Sequence, residues 1–115
     1  MQNRIKTLKK RADFIILRCK RKKIFGKDIL INYYTANNDQ ETRIGITVSK
    51  KHGNAVRRNY IKRVFKAIFI KNNDILPVGY DLEFIPKKSE NKINFLDLEN
   101  DILNSLKKLN SSVNQ

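Results

Sequence analysis

The sequence predicts an α+β domain, a two-layer α/β sandwich in the order α-β-β-α-β-α around a mixed sheet of about four strands. Three observations predict it. Apolar residues alternate with a period of two at 28–35, 43–49 and 80–86, as strands require. Helical periodicity runs through 55–70 and again from Asn94 onward, each time after an asparagine able to cap a helix. A strand pair, then a helix, then another strand gives a βαβ crossover, which covers a sheet with helices. The chain of 115 residues, 40% of them hydrophobic, suits one domain with a modest core.

Taken in order, residues 1–6 read as a mobile basic arm. "LKKRADFIILR" (8–18) reads as a helix with Leu8, Ala12, Ile15 and Cys19 along one face, and "RCKRKK" (18–23) as a basic turn. "DILINYYT" (28–35) is a strand with Ile29, Ile31 and Tyr33 on one side and Leu30, Asn32 and Tyr34 on the other. "TANNDQET" (35–42) is a polar turn, and "RIGITVS" (43–49) a second strand with Ile44, Ile46 and Val48 inward. The two strands read as a hairpin. Gly53 and Asn54 turn and cap the chain into a helix from Ala55 to about Ile70. After a loop at 72–79, "YDLEFIP" (80–86) sets Tyr80, Leu82 and Phe84 against Asp81, Glu83 and Ile85, and Pro86 ends the strand. The last helix buries Phe95, Leu98, Ile102, Leu106 and Leu109, with acids early and lysines late as its dipole favours. The tail 111–115 reads as frayed.

Charge is concentrated. The net charge is +14, with +10 in residues 1–27, −3 in 28–42, +9 in 43–71 and −2 in the rest. Two blocks that repel themselves this strongly point to a polyanionic partner. No apolar run exceeds four residues, so no membrane span is expected, and no secretory signal is evident. The single cysteine, Cys19, forms no intrachain disulfide and fits a reducing compartment; the expected location is cytoplasmic.

The helix after Asn54 carries the sharpest signal. On a wheel of about 100° per residue, Arg58, Asn59, Lys62, Arg63 and Lys66 share one arc, opposite Val56, Tyr60, Val64, Ala67 and Ile68. A solvated face normally mixes charge signs, because i,i+4 pairs then stabilise. Here no acid occurs from Arg43 to Lys71, so a phosphate-binding face is favoured over a solvated one. A membrane-surface helix is also basic and amphipathic, but this one lies between strands and its apolar side is needed for the core.

The segment "RIGITVSKKHGNAVRRNYIKRVFKAIF" (43–69) resembles the signature of the bacterial ribonuclease P protein subunit. That pattern is a strand ending in S-K-K, then G-N-A-V, then a helix bearing R-N-x-x-K-R. Lys50, Lys51, Gly53, Asn54, Ala55, Val56, Arg58, Asn59, Lys62 and Arg63 match it. The likeness extends more weakly over residues 4–110, with "LKKRADF" (8–14) similar to the family's start. The resemblance implies a protein that binds a large catalytic RNA and the 5′ leader of precursor transfer RNA. It also implies a left-handed crossover, one protein per RNA, and Mg²⁺ shared with the RNA. DNA and membrane are not expected partners. Lys50, Lys51, Asn54, Arg58, Asn59, Lys62, Arg63 and Lys66 are then expected on the RNA subunit. Phe14, Arg18 and Tyr34 are expected in the leader cleft, and Arg4, Lys6, Lys9, Lys10 and Arg11 as nonspecific phosphate contacts. Tyr60 stands where the family usually has arginine. Arg18 and Asn32 stand where aromatics are common, so the cleft is expected to stack less and to rely more on charge, with Tyr34 substituting for Asn32.

Other chemistry is weakly represented. His52 has no nucleophile or carboxylate at motif spacing, and reads as a turn cap or an RNA-facing group. No D-x-D, H-E-x-x-H, Walker or G-x-G-x-x-G pattern occurs, so catalysis is expected from the RNA partner rather than from residues of this chain. The other reading is a small basic ribosomal or RNA-chaperone protein.

Overall fold

The computed structural model describes residues 5–8, 11–35, 42–77, 79–87 and 94–113. The strands are β1 (Ile5–Thr7), β2 (Lys22–Phe25), β3 (Ile29–Tyr34), β4 (Thr42–Ile46) and β5 (Asp81–Pro86). The helices are α1 (Arg11–Lys20), α2 (Ala55–Lys71) and α3 (Phe95–Val113). The α+β class and the mixed sheet hold, with five strands in the order β1-β4-β5-β3-β2.

The hairpin expected from residues 28–35 and 43–49 does not form. β5 lies between β3 and β4, antiparallel to the first and parallel to the second, with Ile31 opposite Phe84 and Ile44 opposite Leu82. β4, α2 and β5 therefore make the βαβ crossover. The β1 and β2 segments also depart from the sequence reading. Ile5–Thr7 is a strand parallel to β4, not part of a mobile arm, and Lys22–Phe25 is an edge strand on β3, not a turn. Both are too short and too lysine-rich to alternate visibly. α3 runs through Val113, past the point where fraying was expected.

The core fills the face of the sheet under α2 and α3. Ile31, Leu82 and Phe84 are buried from the sheet, Ile61, Val64, Phe65, Ile68 and Phe69 from α2, and Leu98, Ile102, Leu106 and Leu109 from α3. Phe84 meets Phe65 and Phe69 at centroid distances of 6.1 and 4.7 Å in tilted geometry, a favoured aromatic arrangement. Asn94 caps α3 as the sequence implied, its Oδ1 accepting from the Leu96 and Asp97 amides. Lys71 and Asn72 at the end of α2 bond Glu99 of α3 and tie the two helices together.

α1 covers part of the opposite face. Its inner residues are Leu17, fully buried, and Phe14; Ala12, Ile15 and Cys19, the face expected from spacing, are exposed. Leu8 is buried but precedes the helix. The Phe14 ring lies directly over Gly45 of β4, where an added Cβ would sit 2.6 Å from the ring. A glycine there lets the helix approach the sheet closely.

Candidate nucleic-acid interface

The stretch from Ser49 to Asn54 is a built junction. Ser49 caps a 3-10 turn at Lys50–His52, its Oγ accepting from the Lys51 amide at 3.3 Å. The Ser49 amide donates to His52 Nδ1 at 3.0 Å, which leaves the proton on Nε2 to donate to the Pro86 carbonyl at 2.7 Å. His52 thus staples this turn to the end of β5. Gly53 has φ +117°, a conformation that disfavours a side chain. Asn54 then caps α2, its Oδ1 accepting from the Arg57 amide at 2.9 Å. The result is an abrupt entry into α2 with Lys50 and Lys51 exposed at its head.

The first turn of α2 carries no acid, although the positive end of its dipole favours one. Asn59, Lys62, Arg63 and Lys66 are exposed along the helix, and Arg58 is half-buried at the margin with its Nε enclosed and unpartnered. Two cations of the basic block are paired with carboxylates at its ends. Arg43 forms a two-pronged pair with Asp81 at 2.8 and 2.6 Å, and Lys71 pairs with Glu99 at 3.1 Å. Among the described residues, none of Lys50, Lys51, Lys62, Arg63 or Lys66 pairs with a carboxylate.

The buried side of α2 differs from the expected arc by roughly 90° on the wheel. Ile61, Val64, Phe65, Ile68 and Phe69 face the sheet, while Val56 is 77% and Tyr60 50% exposed. The physical reason is the rotation of the helix on the sheet: Ile61, Phe65 and Phe69 turn inward, which leaves Val56, Tyr60 and Ala67 of the expected arc exposed. Tyr60 therefore joins the cationic face rather than the core.

On the α1 side, the structure brings Phe14 and Arg18 together, with the guanidinium 6.0 Å from the ring centroid. Tyr34 is on the same face of the sheet. It lies opposite Asp81, one row along β5 from Glu83, where Arg18 is anchored. Glu83, missed in the sequence, is fully buried at the centre of this face. Its carboxylate accepts from Arg18 Nη2 at 2.8 Å and Nε at 3.5 Å, from Asn32 Nδ2 at 3.0 Å and from the Thr47 hydroxyl. Burial pushes this carboxyl upward, but the hydrogen bonds from Arg18, Thr47 and Asn32 outweigh it and hold it below the ordinary glutamate range. Arg18 is thus already paired, with its side chain 48% exposed, so its charge is largely spent within the protein. Asn32 is buried with Oδ1 unpartnered, so it supports this network from the sheet.

Of the remaining cations, Arg11 is exposed at the start of α1, and Lys6 contributes backbone to β1. Arg4, Lys9, Lys10 and the Lys6 side chain lie outside the described residues.

Fold and site together define a small, strongly basic mixed-sheet protein whose crossover helix presents an exposed cationic face. The chain belongs to the ribonuclease P protein family: the family model described as Ribonuclease P matches residues 2–110. The ribonuclease P protein component of Clostridium kluyveri is 40% identical over 103 residues, covering 88% of this chain and 91% of that protein. That of Clostridioides difficile is 38% identical over 113 residues, covering 96% and 97%. Among solved structures, the RNase P protein of Thermotoga maritima superposes with a TM-score of 0.81 at 30% identity, covering 90% of this chain and 96% of that one. The Staphylococcus aureus RNase P protein gives 0.76 at 30% identity, covering 90% and 94%.

Proposed function

We propose that this chain is the protein component of a ribonuclease P ribonucleoprotein, which binds the catalytic RNA and the 5′ leader of precursor transfer RNA and promotes 5′-end maturation. The observation that carries this reading is the α2 face with its flanking lysines, basic, exposed and without a carboxylate partner among the described residues, within the fold of this family. Lys50, Lys51, Arg58, Lys62, Arg63 and Lys66 neutralise phosphates of the RNA subunit, and Asn59 adds a hydrogen bond among them. Arg18 and Phe14, locked on the sheet by Glu83 and Gly45, line the groove that holds the leader; Tyr34 lies one row away on the same face. In this reading the complex is cytoplasmic, with one protein per RNA.

The described residues offer no grouping suited to a protein-held Mg²⁺. No cluster of three or more histidine, cysteine or carboxylate groups occurs among the described residues, and the exposed face of α2 sets the Asn59 amide among cations. The metal belongs to the RNA in this reading, and the protein acts by screening phosphate repulsion and positioning the substrate.

The test is 5′ processing of a precursor transfer RNA by a bacterial ribonuclease P RNA at low Mg²⁺. The protein restores cleavage, and the Arg58→Ala/Lys62→Ala protein, still folded, does not. RNA binding without any aid to cleavage overturns the reading in favour of a ribosomal or chaperone role. With about six phosphates neutralised, binding falls with salt at a log–log slope near −4 to −5, and a slope flatter than about −2 refutes the phosphate face.

A further inference from the structure

The two members of the Arg18–Glu83 pair are placed very differently. The Glu83 side chain is fully enclosed, and that of Arg18 is 48% exposed. Only one edge of the guanidinium is used: Nε and Nη2 donate to the two carboxylate oxygens at 3.5 and 2.8 Å. The other edge, Nη1 with the second Nη2 hydrogen, points away from the carboxylate and makes no bond among the described residues. Asn32 and Thr47 complete the partners of the carboxylate, so Glu83 is itself fixed and fixes Arg18 in turn. Phe14 lies alongside, its ring centroid 6.0 Å from the guanidinium, and is seated over Gly45.

This anchoring changes what Arg18 recognises. A free arginine draws phosphates by charge. Here a carboxylate sits behind the guanidinium, and its hydrogen bonds hold it below the ordinary glutamate range, so it is ionised at neutral pH. For a phosphate about 4 Å in front of Arg18 and about 7 Å from the carboxylate, Coulomb's law cancels more than half of the attraction. The directional donors are not cancelled. A planar pair of N–H groups, held in one orientation, selects two acceptors set side by side. Among unpaired bases, guanine offers O6 and N7, and cytosine O2 and N3. Adenine and uracil alternate acceptors with donors along their edges.

We propose that Arg18 is a specificity-determining residue for the leader and that Glu83 is its positioning residue. The buried carboxylate turns Arg18 from a phosphate contact into a reader of guanine or cytosine edges. The leader groove itself belongs to the reading above, on which this inference rests. The test uses the unsubstituted protein assembled with a bacterial ribonuclease P RNA. The substrates are precursor transfer RNAs whose all-adenine leader carries one replaced base at each position in turn. At one position, guanine or cytosine lowers the Kd about fivefold or more relative to adenine and uracil, as one bidentate arginine–base contact does. Glu83→Gln levels that preference and steepens the salt slope of precursor binding by about 0.7, the share of one freed charge on a single strand. Arg18→Lys keeps the charge without the planar fork and also levels the preference. A pair that only tethers α1 to the sheet produces neither the base preference nor the steeper slope. No preference at any position overturns the proposal, and that scan needs no variant to fold. A preference that survives Glu83→Gln, or an unchanged slope in that variant, overturns it as well. Cleavage supported without base preference refutes this inference alone, whereas failure to support cleavage of any precursor refutes the reading beneath it.

Discussion

Replacing Arg18 with methionine should cost more than replacing its partner, and the cost should depend on pH. Glu83 is fully enclosed, whereas the Arg18 side chain is about half in water. Arg18→Met strands a buried carboxylate with only Asn32 and Thr47 as donors, a loss of about 3–5 kcal/mol. Glu83→Gln frees a guanidinium that can rehydrate, a loss of about 1–2 kcal/mol. The double variant should be less destabilised than the sum by about 2 kcal/mol, because the stranded charge is gone. In the parent, the Glu83 carboxyl is held below its usual range, so its stabilising share is present above the unfolded value of about 4.3 and is lost as pH falls through the lower folded value. In Arg18→Met, burial dominates and the folded value rises above the unfolded one. Its contribution then reverses, favouring the folded state in acid and opposing it as pH rises. Urea denaturation followed by circular dichroism measures this. A loss of 4 kcal/mol lowers the midpoint by roughly 2 M at an m-value near 2 kcal/mol/M, and the gap from the parent widens from about pH 4 to pH 7. A loss below about 1 kcal/mol that is flat with pH refutes the argument that Arg18 is spent on Glu83.

Other substitutions probe the parts that position the interface. Gly53→Ala should lose about 1–2 kcal/mol in thermal melts, because the new Cβ meets a φ of +117° and sits 2.6 Å from Arg57 Cδ. Gly45→Ala should lose about 1–3 kcal/mol by pressing on the Phe14 ring, and Gly45→Ala/Phe14→Leu should recover part of it. Asp101→Ala should cost about 1–3 kcal/mol by orphaning the Lys27 and Asp28 amides, with faster hydrogen exchange there. Lys62→Gln/Lys66→Gln should leave stability unchanged or raise it by about 0.2–0.5 kcal/mol, by relieving an i,i+4 repulsion. The same change should flatten the salt dependence of RNA binding by about 1.4–1.8.

The long helices were legible because their signals are local. Asn54 and Asn94 act as the caps their positions suggested, and the α3 stripe from Phe95 to Leu109 packs as its spacing required. The strand pairing was not legible, because a polar turn between two strands reads the same whether they pair or a later strand separates them. The role of Glu83 was hidden for a similar reason. Asp81 and Glu83 alternate with apolar residues as on a solvated face, but Arg43 pairs with the first, and Arg18 of α1, 65 residues earlier in the chain, pairs with the second. Within the candidate interface, Lys62, Arg63 and Lys66 emerge where the wheel set them. Val56, Tyr60 and Ala67 do not, because apolar residues also flank that arc at Ile61, Phe65 and Phe69, and a wheel does not say which apolar side meets the sheet.

The central position of β5 has a consequence for how the molecule is made. β3 and β4 meet only through residues 81–86, so the sheet cannot close until most of the chain exists. Residues 1–71, which include both halves waiting for that strand, carry a net charge of +16 from the blocks of +10, −3 and +9. A nascent chain halted before residue 81 is therefore a polycation that lacks the strand joining its two halves. Its sheet depends on late, distant pairings that form slowly. Phosphates that gather on the early cationic segments would relieve their repulsion before the last strand arrives, so that acquiring a polyanion and acquiring a fold become overlapping events.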